Sequence, residues 1–283
     1  MFIFKSPWFR LAVSMVALNP AAILFRANSP ISQEPDAKLS KILTECAAYC
    51  DKLKSARLNF TCFEEIEERI FHPFITIKID SFRTYQRERN RYGYDYQLIK
   101  DSGMITERRV LISENGRSRH EKDAALKTKR FDYQFVINGP IGVLDKDRQK
   151  RFNYKIARNE DFTHGAAIIL EAVPKSGFPT DHLFGRIWVN SSDFSIMKIV
   201  WNQESLGKYD EIRKTAEHLN AIPDIELISE YSIEKNGIRF PSKYSIEEKY
   251  KAGPRILTKS KLSVSYENYR FFTVETSVKY ESH

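Results

Sequence analysis

The stretch LFGRIWVNSSDFSIMKIVWNQES, residues 183–205, constrains the fold more than any other part of the chain. Before its centre Ile187 and Val189 fall on one face, with Arg186, Trp188 and Asn190 on the other. After it Ile196, Lys198 and Val200 alternate with Met197, Ile199 and Trp201. Period-two alternation rich in Ile, Val and Trp is the pattern of antiparallel strands. Asn190, Ser191, Ser192 and Asp193 are turn formers, because their side chains bond their own backbone. The expectation is a hairpin within a large sheet that is wet on one face.

The same alternation recurs along the chain. Tyr92, Tyr94, Tyr96 and Leu98 share one parity, a turn follows at 101–103, and 105–113 returns. A tyrosine ladder of this kind is either core or the wall of a pocket. Asn236-Gly237 separates alternating segments at 225–234 and 238–250, and both residues tolerate the positive φ of a type I′ turn. Pro241 then marks an edge, a bulge or an early strand position. Segments 257–266 and 271–280 are predicted to form a last hairpin around Glu267 and Asn268. Residues 152–156 and 166–173 are further strands, the second apolar on both faces and therefore central. Leu39, Ile42, Leu43, Cys46, Cys50 and Leu53 mark one face of a helix over 36–54. Asn138-Gly139-Pro140 opens a short helix near 143–149, and Tyr209, Ile212, Ala216 and Leu219 mark another.

About ten or eleven strands in one sheet cannot stay flat. The predicted fold class is mainly β (α+β): a single curled antiparallel sheet forming an unclosed β-barrel, covered by the N-terminal helix and the short inserted helices. Aromatics are 13% of the chain, with 14 Tyr and 19 Phe, enough for a sizeable core. No glycine-rich linker divides residues 30–283, which read as one domain.

Residues 1–29 differ from the rest. Lys5 and Arg10 precede an apolar run at 11–18, extended at 21–25 and broken by Asn19-Pro20. A basic start, a short apolar run and small residues read as a signal peptide. The run is short of the ~20 residues of a membrane span, and an N-terminal anchor is the alternative. The chain is thus expected in the periplasm or secreted, or else tethered by this segment. The net charge of +8 falls to +5 once the leader's Lys5, Arg10 and Arg26 are set aside. Those charges are interleaved with acids, which is a wetted sheet face and not a nucleic-acid surface.

The three cysteines fit an oxidising compartment, with one pair bridged. Cys50–Cys62 would staple helix to strand, with Cys46 the other candidate partner for Cys62; buried free thiols are the alternative. Glu64, Glu65, Glu67 and Glu68 are expected on a solvated strand edge. The basic run 117–130 reads as a solvated loop, or as a surface for an acidic partner or lipid headgroup. There is no G-x-S-x-G, H-E-x-x-H, P-loop or G-x-G-x-x-G, and the six histidines are scattered. No catalytic residue, metal site or cofactor is assigned.

Two segments carry a resemblance. GRIWVNSSDFSIMKI (185–199) is similar to a G-x-(I/L)-W-(V/I)-(D/N) strand followed by D-x-x-(I/P)-x-(K/R)-(I/V), and KNGIRFPS (235–242) to an x-x-G-x-x-x-P strand pair. In this the chain resembles the LolA/LolB-like outer-membrane lipoprotein carriers and receptors. The resemblance implies a half-barrel whose hydrophobic cavity takes lipid or lipoprotein acyl chains, in a monomer that meets the membrane surface transiently. The Cys50/Cys62 pair is foreign to those families, the receptor's lipid-attachment cysteine is missing, and the carriers' functional arginine has no counterpart that can be placed.

Alternation then nominates Tyr92, Tyr94, Tyr96, Leu98, Trp188, Met197, Ile199 and Trp201 as the lining. A cavity for acyl chains needs a dry concave face and no reactive group. The rival reading is a non-enzymatic envelope scaffold with a self-filled core, its protein partner docking on an edge strand or the basic loop. A secreted hydrolase would need a histidine and a carboxylate converging on a serine or a metal.

Overall fold

The computed structural model describes residues 34–272, apart from 57–58, 80–81, 102–103, 135, 163–164 and 178–182. The predicted leader and the end of the predicted last strand, 273–280, lie outside the described residues. Helix α1 (Glu34–Ser55) comes first. It buries Ile42, Cys46, Tyr49, Cys50 and Leu53, a stripe at the spacing the sequence implies, each side chain contributing roughly 1.5–3 kcal/mol where burial is complete.

Strands β1 (Asn59–Ile79) and β2 (Phe82–Asp101) then form a long hairpin, in register from Phe60↔Leu98 to Ile79↔Phe82 with one slip near His72. β3 (Met104–Glu114) and β4 (Arg117–Glu121) continue outward to one edge. The chain next crosses the sheet. An irregular strap at 122–134 precedes a 3₁₀ turn (Val136–Asn138), helix α2 (Gly139–Leu144) and helix α3 (Lys146–Gln149). β5 (Phe152–Phe162) occupies the opposite edge. From there β6 (Gly165–Pro174), β7 (Gly185–Asn190), β8 (Ile196–Trp201), β9 (Ile222–Glu230), β12 (Lys243–Ala252) and β13 (Arg255–Phe272) step back inward. Helix α4 (Tyr209–His218) lies between β8 and β9.

The sheet order is β4-β3-β2-β1-β13-β12-β9-β8-β7-β6-β5, every neighbour antiparallel. The first and last strands meet in the middle, and β4 and β5 remain as separate edges, so the barrel is unclosed. β10 (Ile233–Lys235) and β11 (Ile238–Phe240) form a small separate ribbon, with Asn236 at φ 55° and Gly237 at φ 67° as the I′ turn requires. One core runs under the sheet and gathers α1, the strap residues Phe131 and Tyr133, Val143 and Leu144 of α2, and the inward residues of the strands.

Three glycine and bulge positions set the local geometry. A Cβ on Gly185 would collide with the Val200 carbonyl of the paired strand, which fixes glycine at the start of β7. The β7–β8 register slips, so that Trp188 faces Lys198 while Val189 faces Ile196. Met197 is the extra residue, and the bulge reverses the parity of β8. The hairpin expected at Glu267 and Asn268 is instead a bulge within β13. Glu267 pairs with Phe63 and Arg270 with Thr61, and Asn268 has φ 57°. A positive-φ residue serves a bulge as well as a turn, so the strand stays on β1 through Phe272.

The expected disulfide is absent: Cys46, Cys50 and Cys62 are free and buried. Two of the sulfurs are engaged elsewhere. Cys50 Sγ donates to the Pro140 carbonyl at 3.6 Å, and Cys62 lies in hydrogen-bonding contact with Tyr269. Burial pushes the Cys46 thiol up to about 12 and raises Cys50 and Cys62 as well. Folded protein is therefore expected to resist alkylation by iodoacetamide. Unfolded in urea without reductant it takes up one adduct at each of the three cysteines by intact mass, whereas a bridge would leave a single reactive thiol.

Candidate functional site

The tyrosine ladder lies on the inner face, but it is not open. The strap lies over it: Tyr94 Oη donates to the Ala125 carbonyl at 3.4 Å and accepts from the Lys127 amide at 3.3 Å. Tyr96 Oη donates to Glu107 Oε1 at 2.6 Å, with the Arg109 guanidinium 4.9 Å from its ring centre. Tyr92 and Leu98 are buried in the same layer. This half of the trough is filled by the protein's own groups.

What holds the strap is a set of buried carboxylates. Glu64 is 0% exposed and takes Arg109 at 2.7 and 3.2 Å and the Tyr133 hydroxyl at 3.0 Å. Glu68, 1% exposed, accepts the backbone amides of Lys129 and Arg130, each at 2.9 Å. Glu248 of β12, 0% exposed, takes Arg130 through two bonds of 2.7 Å, Tyr250 at 2.6 Å and Ser260 at 3.0 Å.

The reading of Glu64 and Glu68 as a solvated edge is therefore overturned. They share parity with Phe60, Cys62, Ile66 and Ile70 and point inward, whereas Glu65 and Glu67 point out. Glu67 sits among Arg89, Arg69 and Arg91, which hold its carboxyl down to about 2. The basic run 117–130 is solvated where it begins, as the exposed edge strand β4, and several of its cations meet acids of this chain. Arg119 meets Glu114 at 3.1 Å, Lys127 meets Glu121 at 2.9 Å, Lys129 meets Glu88, and Arg130 meets Glu248. Its acids are internal.

Of the other nominated lining residues, Ile199 and Trp201 face the main core. Trp188 and Met197 do not. With Ala167 and Ile169 they form a second cluster on the opposite face, where Trp188 Nε1 donates to Glu160 at 3.3 Å and Lys198 Nζ lies 5.1 Å from the Trp188 ring. Strict alternation groups Met197 with Ile199, and the bulge separates them.

A cavity of about 360 Å³ remains where the crossover passes from strap to helix. Val136, Gly139 and Gly142 form one wall, and Trp201, Leu227, Ser229 and Tyr244 of the sheet form the other. Leu183, Leu206 and Asp132 also line it. Trp201 Nε1 donates to Ser229 Oγ at 2.9 Å, which fixes the indole, and Tyr231 Oη donates to the Val136 carbonyl at 2.8 Å. A Cβ on Gly139 would meet that tyrosine oxygen, while one on Gly142 would meet nothing within 4 Å. Burial raises the Tyr133 and Tyr244 phenols well above their usual range, so both are neutral walls. Among the nominated residues only Trp201 lines this cavity. Among the described residues no cluster of His, Cys, Asp and Glu could hold a metal ion, and no helix is long and apolar enough to cross a membrane.

No family model matches the chain, and no curated protein does. Three solved structures are similar to it in outline. One is a DUF1329 family protein from Desulfovibrio piger, with 12% identity, TM-score 0.35, and 83% of this chain and 94% of that one covered. Another is a LolA superfamily protein from Nitrosomonas europaea, with 13% identity, TM-score 0.33, and 82% and 94% covered. The third is an outer membrane lipoprotein-sorting protein domain from Vibrio parahaemolyticus, with 8% identity, TM-score 0.36, and 84% and 94% covered. Superpositions this loose carry no argument about ligand or role.

The buried network gives a sharp expectation. Arg109→Met strands the Glu64 charge and should cost about 3–5 kcal/mol in urea unfolding. Glu64→Leu combined with Arg109→Met should recover most of it, because the uncompensated charge is then gone. Equal losses in the single and double variants would mean that the pair's charge is not what matters.

Proposed function

We propose that this chain is an exported, non-enzymatic carrier that shelters one hydrocarbon chain of a lipid or acylated molecule in the cavity beside α2. The supporting observation is that cavity: about 360 Å³, walled by Trp201, Leu227, Val136 and neutral tyrosines, with its indole already pinned. Each methylene buried there contributes about 0.8 kcal/mol on leaving water, from which the cost of immobilising the guest is subtracted. In this reading residues 1–29 are the leader, 30–283 the mature monomer in the periplasm, and transfer involves an envelope partner.

The scaffold reading draws on a different observation. The tyrosine ladder is filled by the strap, so half of the trough offers no room. A partner-docking module would need none.

Titration of delipidated protein with fluorescent fatty acids separates the two. A carrier gives saturable one-to-one binding. Gly142→Phe fills open space and should weaken binding at least tenfold while leaving the melting temperature nearly unchanged. Absence of saturable binding, or indifference to Gly142→Phe, rejects the cavity as the site.

A further inference from the structure

The last turn of α1 and the β10–β11 turn are clamped together. The Arg239 amide donates to Tyr49 Oη at 3.1 Å, and Lys52 Nζ donates to the Gly237 carbonyl at 3.2 Å. Glycine is demanded twice at 237, by its φ of 67° and because a Cβ would strike the Lys52 ammonium. Beneath the turn lies an aromatic floor in which the Phe240 and Phe271 rings are 4.7 Å apart and Phe60 is 5.5 Å from Phe240. Lys235 Nζ hangs 5.8 Å from the Phe271 ring centre. Between them is a groove of about 580 Å³ that shares no lining residue with the cavity beside α2.

The charges of this groove are unbalanced. Among the described residues its lining contains Lys52 and Lys235 and no aspartate or glutamate. Several lysines elsewhere meet carboxylates, as Lys54 does Asp145, Lys127 does Glu121 and Lys261 does Glu247. Among the described residues neither Lys52 nor Lys235 has an acidic partner, and the neighbouring Glu234 is 3.6 Å from Arg239. Two ammonium groups with spare donors, above an apolar floor, make a field that attracts an anion. The C-terminal carbonyls of α1 oppose this by a partial charge, which two full charges outweigh.

We infer that this groove binds a single-chain amphiphile with a phosphate monoester head, the head between Lys52 and Lys235 and the chain along Phe271 and the exposed Phe272. A phosphate monoester brings about −1.5 to −2 charge and three acceptor oxygens, which matches two ammonium donors and the Asn236 amide better than a carboxylate does. The site stands apart from the proposed carrier cavity and does not depend on it.

The test is calorimetric titration of full-length Gly142→Phe protein, in which the cavity beside α2 is filled, with dodecyl phosphate below its micelle concentration, beside laurate, 1-dodecanol and inorganic phosphate. In that background dodecyl phosphate should bind at least tenfold more tightly than laurate. Adding Lys52→Gln with Lys235→Gln should weaken it at least tenfold. Thermal melts confirm that the variants fold. Unchanged dodecyl phosphate affinity in the double lysine variant overturns the site. Laurate binding equally well overturns the phosphate head, and inorganic phosphate binding as tightly as dodecyl phosphate overturns the role of the chain.

Discussion

The structure depends on how a polar backbone is carried across an apolar hollow. The sheet is a meander whose first and last strands, β1 and β13, meet in the middle, so the link between its two edges must traverse the inner face. A buried peptide group without a partner costs on the order of a hydrogen bond or more. The strap has no regular structure to satisfy it. Glu68 therefore accepts two strap amides, Glu248 grips Arg130, and Glu64 takes Tyr133. These carboxylates point into the core because only there can they reach the strap. Arg109 in turn neutralises Glu64.

The same constraint decides where room is left. While the crossover is irregular it needs clamps, and the clamps fill the trough over the tyrosine ladder. From Val136 it is helical, and the Val136, Pro140, Val143 and Leu144 carbonyls accept from Tyr231, Cys50, Tyr154 and Gln149, with Pro140 in the first turn of α2 where no donor is needed. No carboxylate from the sheet is then required, and Gly139 and Gly142 present almost no side chain. The cavity opens at that change of backbone conformation.

Much of this was legible in the sequence. Helices α1 and α4, the hairpin at 183–205, the Asn-Gly turn and the unclosed sheet follow from periodicity and turn chemistry. Six of the eight nominated residues do face the main core, yet only Trp201 reaches the cavity. Alternation reports the face of a strand but not what lies above it, and the strap's path is a tertiary fact. Met197 and Trp188 were misplaced because a bulge inserts a residue that leaves no mark in composition. Glu64 and Glu68 were misread although their parity with Phe60, Cys62 and Ile66 was visible, because charge was allowed to outvote period. The cysteines share faces with the core, as expected of a pair, but a shared face does not bring two sulfurs together.

The cavity and the helix that flanks it are mechanically joined. Gln149 of α3 donates to the Leu43 and Leu144 carbonyls at 2.7 and 2.8 Å, Lys54 bonds Asp145, and the Cys50 thiol bonds Pro140. α1, α2 and α3 are thus tied by contacts that a guest entering beside Gly142 leaves intact if it fits the existing space. A larger guest must push α2 outward, and α2 drags on α1 through those bonds. Resistance to widening therefore comes from the helices' mutual attachment and from the Tyr154 and Tyr231 hydroxyls, which hold the Val143 and Val136 carbonyls to β5 and to the end of β9. Widening the space between Gly142 and Trp201 loads both walls at once, where an independently hinged lid would move alone.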